Sequence, residues 1–301
     1  MNQVKIMSVQ KITTTTVLQA KGKRKMTMLT AYDYPMAKIF DQAHIDMILV
    51  GDSMGNVVYG YNSTIPVTLN QIIDHCQAVA NGAKKYSLLI GDMPFLSYGV
   101  STKQTVENAG RILKEGGMEA VKLEGGSARV KEIKACIDIG IPVMGHLGLT
   151  PQSVNKFGGF KVQGRTAEMA EWLLSEALAL EKAGCFAIVL EAIPWQVAKV
   201  LTERLTIPTI GIGAGVHCDA QVLVWPDAFG LFDDYTPKFV KKFVNLSDII
   251  KKGVEDYKKE VESQIYPDTS TNSYSLPEEE LKKFIDNIEK KESKKLKDFV
   301  K

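Results

Sequence analysis

The 301-residue chain has little cysteine, no long apolar segment and almost no excess of charge. Its four cysteines, Cys76, Cys136, Cys185 and Cys218, form no CxxC pair and have no metal-ligand spacing. This argues against a disulfide scaffold or a structural zinc site, and favours buried thiols in a reducing compartment. No apolar run approaches the roughly 20 residues that a membrane-spanning helix needs. The formal net charge is only +2, so the composition indicates neither a nucleic acid nor an anionic membrane as a partner. We expect a cytoplasmic protein.

What the chain does have is a repeated alternation of short apolar runs and helical patterns. Runs rich in Val, Ile and Leu predict eight strands, over residues 26–31, 46–51, 87–91, 119–123, 141–145, 186–190, 207–212 and 221–225. Near-continuous apolar strands are typical of a parallel sheet that is buried on both faces. Because helical patterns fill the gaps, we predict an α/β protein with a single (β/α)₈ TIM barrel, a fold of about 250 residues.

Capping residues mark several predicted helices. Thr68 with Gln71, and Ser101 with Gln104, have the spacing of capping boxes. The helix predicted over residues 167–183 is followed by Gly184, which is typical of a helix end. A Thr-capped helical turn is predicted within residues 13–25, before the first strand.

The chain is expected to divide into a barrel domain and a tail. The catalytic barrel is predicted over residues 1–267, and residues 268–301 are predicted to form a polar linker and a C-terminal helical extension. Over residues 276–301 the apolar positions recur with helical spacing: Leu281, Phe284, Ile285 and Ile288. This pattern predicts an appended amphipathic helix that packs on its own barrel or on a neighbour, or else a charge-rich solvated helix.

Ionisable side chains follow five of the predicted strands in succession. They are Asp52, Asp92, Glu124, His146 and Glu191. In a parallel barrel the carboxyl ends of all strands lie on one face, so these side chains are expected to surround one opening. A single polar residue at a strand end is ordinary loop chemistry, but five from distant parts of the sequence predict an active site.

The carboxylates suggest a divalent metal. Asp52, Asp92 and Glu124 are hard oxygen ligands without a convergent cysteine, a set that suits Mg²⁺ better than Zn²⁺, although either Asp alone could instead cap a turn. Lys122 lies two residues before Glu124, so both side chains are expected to face the barrel interior. A buried lysine needs a partner: either it pairs with a carboxylate, or it holds an anionic substrate. We favour the substrate, because the carboxylate-rich opening would otherwise repel an acid.

Two further residues are candidates for chemistry. Glu191 follows the apolar run 186–190, where desolvation would raise its pKa and suit it to general-base work; the alternative is an ion-paired structural role. His146 lies in the glycine-punctuated stretch 145–165, which resists assignment to regular structure and is interpreted as a mobile lid. The GIGAG segment (211–215) lacks the full GxGxxG spacing and predicts a tight turn rather than a dinucleotide site.

Together these segments resemble the ketopantoate hydroxymethyltransferase family of the phosphoenolpyruvate/pyruvate barrel superfamily. The resemblance is carried by TAYDYPMA (30–37), LVGDSMGNVVYG (49–60), GDMPFLSY (91–98), VKLEGG (121–126), GHLGLTPQSVNKFGGFKVQGR (145–165), VLEAIP (189–194), IGIGAG (210–215) and DAFG (227–230). The likeness runs from about residue 10 to Pro267 and leaves residues 268–301 without a counterpart.

The resemblance implies a role for each matching residue. Asp52 and Asp92 would ligate Mg²⁺, and Glu124 would hold the metal through water. Ser53, Asp92 and Lys122 would contact the 2-oxo acid substrate.

It also implies the reaction. Glu191 would be the general base, and His146 would lie beside the substrate. A hydroxymethyl group would pass from 5,10-methylenetetrahydrofolate to 3-methyl-2-oxobutanoate, giving ketopantoate for pantothenate synthesis, in a large homo-oligomer.

Two alternatives remain at this point. A Mg²⁺-dependent C–C lyase or phosphonomutase of the same superfamily would keep the barrel and the metal, although the reactive cysteines of those enzymes have no match here. A non-catalytic barrel whose tail recruits a partner would keep only the fold, since fold alone does not prove function. Proton exchange at C3 of 3-methyl-2-oxobutanoate, without folate, would distinguish the predicted transferase from a lyase. Turnover after deletion of residues 268–301 would distinguish it from a scaffold with a partner-binding tail.

Overall fold

A computed structural model describes residues 10–159 and 161–299 of the chain. Within these residues, eight parallel strands form a closed barrel in sequence order, with β1 paired to β8. The strands are β1 (Met26–Thr30), β2 (Met47–Val50), β3 (Leu88–Asp92), β4 (Ala120–Glu124), β5 (Val143–Gly148), β6 (Ala187–Glu191), β7 (Thr209–Ile212) and β8 (Ala220–Leu223). The predicted (β/α)₈ barrel is confirmed.

Helices precede, connect and follow the strands. They are α1 (Thr14–Ala20), α2 (Tyr34–Gln42), α3 (Met54–Val57), α4 (Leu69–Gly82), α5 (Thr102–Lys114), α6 (Val130–Asp138), α7 (Val154–Phe157), α8 (Ala167–Ala183), α9 (Trp195–Arg204), α10 (Trp225–Ala228), α11 (Leu246–Glu262) and α12 (Glu278–Phe299), with 3₁₀ turns at Ser127–Arg129 and Pro151–Ser153.

The predicted strands differ from the observed ones mainly at their ends. The largest difference is in β5, which was predicted to end at residue 145 and continues to Gly148. His146 therefore lies inside a strand rather than after it. Its neighbour in the register is Glu124, the last residue of β4.

The interior of the barrel is filled with apolar side chains. Met28, Met47, Ile90, Met144 and Ile210 belong to one buried cluster and have at most 2% of their surface exposed. Fully burying an aliphatic or methionine side chain contributes roughly 1.5–3 kcal/mol. This packed core closes the amino-terminal part of the barrel and leaves polar side chains to its carboxyl-terminal end.

Most of the predicted helix caps are present. Thr68 and Gln71 form a reciprocal capping box at the start of α4, and Gly184 ends α8 in the left-handed conformation. The prediction of a box at Ser101 was wrong in part. The Ser101 hydroxyl accepts a hydrogen bond from the backbone N–H of Gln104, but the Gln104 side chain donates instead to the Leu96 carbonyl.

The glycine-punctuated stretch contains more regular structure than its sequence indicated. After β5 ends at Gly148, the 3₁₀ turn Pro151–Ser153 leads directly into α7. Residues 161–165 lie in neither a helix nor a strand, and residue 160 lies outside the described part of the chain. The expectation of an irregular segment was therefore wrong for its first half.

The chain separates into two compact units, one ending at Asn245 and one beginning at Leu246. The second unit contains α11 and α12, and α12 is the predicted C-terminal amphipathic helix. Its apolar residues Leu281, Phe284, Ile285 and Ile288 are all exposed. Within the described ranges, no helix combines the length and the apolar character required to cross a membrane.

Candidate active site

One small cavity at the carboxyl ends of the strands brings together every residue that the sequence singled out for chemistry. Its volume is about 120 Å³. The predicted residues in its lining are Asp52, Ser53, Asp92, Lys122, Glu124, His146 and Glu191. The strand register explains this convergence. Asp92 pairs with Lys122 in the ladder, and because the strands are parallel, their last residues lie at the same end of the barrel.

Lys122 forms an ion pair within the cavity. Its Nζ lies 2.8 Å from Asp92 Oδ1, and both side chains are buried. The backbone N–H of Asp52 donates to the other oxygen, Asp92 Oδ2, at 3.1 Å. Lys122 therefore has a carboxylate partner in this structure, and its contact with a substrate stays a prediction. The reason is geometric, because Asp92 and Lys122 are adjacent in the parallel ladder.

The buried acids of the cavity outnumber its ammonium group. Burial, followed by repulsion from Asp92, raises the pKa of Asp52 to about 7. Burial also raises the pKa of Glu191 to about 8, and burial with repulsion from Asp52 raises the pKa of Glu124 well above its usual value. For Lys122, burial lowers the pKa, but the neighbouring carboxylates outweigh it and raise the pKa overall. When these acids are ionised, their negative charge exceeds the positive charge of Lys122, so a bound cation would stabilise the ionised forms.

His146 is buried between two of these acids. Its Nε2 lies 3.1 Å from Glu191 Oε2 but is not oriented to form a hydrogen bond. Its Nδ1 lies 3.6 Å from Glu124 Oε1 and 3.4 Å from Lys122 Nζ. Burial, with repulsion from Lys122, lowers the pKa of His146 well below its usual value. The imidazole is therefore neutral beside Glu191.

The sequence did not point to Gln152 or Tyr98, which organise the acids. Gln152 Nε2 donates to Asp52 Oδ2 at 2.8 Å, and its backbone N–H donates to Glu124 Oε2 at 3.1 Å. The Tyr98 hydroxyl donates to Gln152 Oε1 at 2.7 Å and accepts from the backbone N–H of Glu124 at 3.2 Å. Their one sequence signal is that both lie in segments that carry the family resemblance.

Hydroxyl groups line the opposite wall of the cavity. The Ser53 hydroxyl is hydrogen-bonded to the Tyr32 hydroxyl at 2.8 Å, and Asn56 and Thr64 contribute further polar groups. Thr64 Oγ1 is buried and forms no hydrogen bond with the described residues. This wall can therefore hydrogen-bond to a bound polar molecule.

The donor set of the cavity fits Mg²⁺. Three buried carboxylates, Asp52, Asp92 and Glu124, supply hard oxygen atoms, and Glu124 Oε1 has no hydrogen-bond donor among the residues described. No three His, Cys, Asp or Glu side chains of the described chain are arranged to hold a metal ion by themselves. Mg²⁺ usually takes one or two protein carboxylates and completes its shell with water and substrate, so a site of two direct ligands suits it.

Comparison with known sequences identifies the family. A sequence profile of ketopantoate hydroxymethyltransferase matches residues 11–269. The chain is 52% identical over 274 residues to the 3-methyl-2-oxobutanoate hydroxymethyltransferase of Clostridium beijerinckii, covering 91% of this chain and 99% of that protein. It is 53% identical over 260 residues to the enzyme of the same name from Clostridioides difficile, covering 86% and 94%. The chain belongs to the ketopantoate hydroxymethyltransferase family.

Solved structures share the barrel of this family at low sequence identity. Phosphonopyruvate hydrolase superposes with a TM-score of 0.56 at 12% identity, covering 95% of this chain and 99% of that one. The enzyme 2,3-dimethylmalate lyase superposes with a TM-score of 0.52 at 14% identity, covering 88% and 92%. These likenesses show the fold alone. The family match spans all seven predicted site residues and leaves most of the C-terminal segment outside it.

Proposed function

We propose that this chain transfers a hydroxymethyl group from 5,10-methylenetetrahydrofolate to 3-methyl-2-oxobutanoate, producing ketopantoate. The observation that carries the proposal is the meeting of Glu191, whose pKa is raised, with the Asp52–Asp92 pair in one cavity of about 120 Å³. A cavity of this size suits a small branched acid. The relatives that share about half of its residues are named for this reaction.

Asp52 and Asp92 are proposed to bind Mg²⁺ directly, with Glu124 binding it through water. When bound, the ion supplies Lewis-acid polarisation of the 2-oxo group, an effect of several kcal/mol. Gln152 fixes two of these carboxylates through its side-chain and backbone donors. Such partners orient metal ligands and maintain their geometry.

Ser53, Asp92, Lys122 and His146 are proposed to surround the substrate. An ammonium group has three donors, so Lys122 can keep its bond to Asp92 and still donate to the substrate carboxylate. The neutral His146 ring fills the space between Lys122 and Glu191 without adding charge. These four side chains are therefore proposed to orient the acid with its branched carbon toward Glu191.

Glu191 is proposed to remove the proton from C3 of the substrate. Its raised pKa makes the ionised form a stronger base than an exposed glutamate. The methylene carbon of the donor is bonded to two nitrogens. One C–N bond breaks as C3 bonds to the methylene carbon, and water then replaces the second nitrogen and supplies the hydroxyl oxygen. The proton from C3 and one proton of the water go to the two nitrogens, so that the donor leaves as tetrahydrofolate.

The decisive experiment measures the two halves of the reaction separately. In D₂O with Mg²⁺ and without folate, the protein should exchange the C3 proton of 3-methyl-2-oxobutanoate; with 5,10-methylenetetrahydrofolate added, it should form ketopantoate. A protein that exchanges no proton and forms no ketopantoate would contradict the proposal.

The remaining expectations concern organisation. We propose that residues 1–267 form the catalytic domain, that residues 268–301 are accessory, that the segment following β5 closes over the substrate, and that the enzyme is a cytoplasmic homo-oligomer. Turnover should survive deletion of residues 268–301, and the mass in solution should correspond to several chains. Loss of turnover on deletion would place the tail within the catalytic machinery.

A further inference from the structure

A second cavity opens beside the active site within the barrel unit. Its volume is about 400 Å³, more than three times that of the cavity that holds the catalytic side chains. Its lining includes Phe95, Tyr98, Arg129, Lys156 and Trp172. Apart from Tyr98, which holds Gln152 and Glu124, these residues have no role in the proposed removal of the proton.

The two cavities meet at Glu124, which lines both of them. Gln152 lines the larger cavity and donates to Asp52 in the smaller one. Gly148 also lines the larger cavity and is level with Glu191 in the ladder of β5 and β6. The larger cavity therefore adjoins the acids of the smaller one at Glu124.

Aromatic and apolar surfaces form part of the larger cavity. Trp172 is 53% exposed and Phe95 is 40% exposed, although aromatic side chains of this size are usually more buried. Tyr98 lines the same cavity, and its hydroxyl donates to Gln152. Exposed aromatic rings around a cavity are suited to stack against a flat heterocycle.

Cationic groups complete the cavity. The Arg129 Nη1 atom donates to Glu132 at 3.1 Å, which fixes the guanidinium group. The arginine passes close to two glycines: a Cβ at Gly99 would lie 2.5 Å from Arg129 Nη1, and one at Gly125 would lie 3.0 Å from Arg129 Cγ. Both glycines have positive φ, +83° and +110°, and a side chain at either would require Arg129 to shift. Arg129 and Lys156 are the cationic groups of a lining that also contains Glu124 and Glu176, and they can pair with the anionic end of a ligand.

We propose that this larger cavity binds the one-carbon donor, with its reduced pterin ring against Trp172 and its glutamate tail toward Arg129 and Lys156. The assignment rests on the proposed function, which requires a second reactant that is too large for the 120 Å³ cavity. It gives that reactant a place from which its methylene carbon can reach the carbon activated beside Glu191.

The test is the affinity of the full-length protein for tetrahydrofolate, measured by calorimetry, with the KM for 5,10-methylenetetrahydrofolate as a second readout. Trp172→Ala should weaken both by about tenfold, because stacking of a base on an aromatic ring contributes roughly 1–3 kcal/mol. Trp172→Phe keeps a ring and should stay within about threefold of wild type. Trp195→Ala is the matched control, because Trp195 is 51% exposed and lies outside this cavity.

The tail is tested with a ligand that lacks it. Lys156→Gln should weaken the binding of tetrahydrofolate and leave the binding of 6-methyltetrahydropterin unchanged, because only the first carries glutamate carboxylates. If Trp172→Ala does not fold, Lys156→Gln still gives the answer.

The outcomes distinguish a wrong cavity assignment from a wrong function. If the wild-type protein exchanges the C3 proton, but Trp172→Ala and Lys156→Gln bind tetrahydrofolate as tightly as wild type, the donor binds elsewhere and the cavity assignment is wrong. If the wild-type protein neither exchanges the proton nor forms ketopantoate, the proposed function itself fails.

Discussion

Buried acids occur at both ends of the barrel, and their surroundings differ. At the amino ends of the strands each acid is saturated with donors: Asp46 accepts hydrogen bonds from Arg24, from the backbone N–H of Thr27 and from Tyr86. Asp41 accepts three backbone N–H groups, from residues 85–87. Although burial alone would raise them, these donors lower the pKa values of Asp41 and Asp46.

At the carboxyl ends, burial prevails over the donors. The pKa values of Asp52, Glu124 and Glu191 are all raised, and in each case burial is the largest cause. A single ammonium group, that of Lys122, faces all three. Carboxylates thus stabilise the fold at the amino end of the barrel, whereas at the carboxyl end burial destabilises their ionised form. In barrel enzymes the amino end usually serves stability and the carboxyl end usually carries the active site.

The largest expected effect that tests this contrast is on turnover. Glu191→Gln should reduce the rate of ketopantoate formation by about 10²–10⁴-fold, the usual contribution of a general base. Binding of 3-methyl-2-oxobutanoate, measured by calorimetry, should change little. The control at the opposite end is Glu119→Gln, which removes an ion pair with Lys11 and should retain turnover. Equal losses of turnover in both variants would show that the acids at the two ends do not differ in function.

A second substitution tests the amino end. Asp46→Asn should lower the free energy of unfolding by about 2 kcal/mol, because hydrogen bonds to a charged group contribute roughly 1.5–3 kcal/mol. Denaturant unfolding gives the value, and steady-state assays of the folded variant should give an unchanged kcat. A variant as stable as wild type would show that the donors around Asp46 do not stabilise the fold.

A third substitution tests the proposed metal ligand. Asp92→Asn should raise the Mg²⁺ concentration for half-maximal activity by about 10–100-fold, a range found even for groups that only support a metal ligand. Asp41→Asn, at the other end, should leave this concentration unchanged. Wild-type Mg²⁺ dependence in Asp92→Asn would exclude Asp92 as a ligand.

The pH dependence of stability should have opposite signs at the two ends. In metal-free protein, the raised pKa of Glu191, about 8, means that the folded state binds more protons than the unfolded state. Wild type should therefore lose stability as pH rises from about 4.5 to about 8. Glu191→Gln avoids this cost, so its Tm should exceed that of wild type by a few degrees at pH 9, and this advantage should disappear below pH of about 4.5.

The lowered pKa of Asp46 acts in the other direction. Its stabilisation is complete above the unfolded-state pKa of about 3.9 and is lost as pH falls through the lower folded-state pKa. The Tm deficit of Asp46→Asn should therefore be present at pH 7 and shrink in strong acid. Thermal unfolding across pH measures both differences, and the same sign for both would contradict the contrast.

The sequence predicted most of what depends on regular geometry. The strands follow from apolar runs, and Asp92, Glu124 and Glu191 could be assigned to one opening because the last residues of parallel strands share one end of a barrel. The partners of these residues were harder to predict. Gln152 reaches Asp52 across 100 positions of sequence, and no local pattern encodes such a contact.

Two other contacts could not be predicted from the sequence for similar reasons. The ion pair of Lys122 with Asp92 depends on their register in the ladder, which apolar runs do not fix. The Ser101 box failed because the Gln104 side chain found the Leu96 carbonyl in a neighbouring turn. Local spacing gives the possible partners of a polar side chain, and tertiary packing selects among them.

Gly148 has a consequence for how this enzyme can vary. Its φ is +93°, and a methyl group there would lie 2.2 Å from the carbonyl oxygen of Glu191. The main chain of β6 therefore leaves no room for a side chain at position 148. Every other amino acid would displace the peptide that carries the base. In a saturation library selected for growth without pantothenate, codon 148 should stay glycine, whereas Gly110, which faces open space, should accept alanine freely.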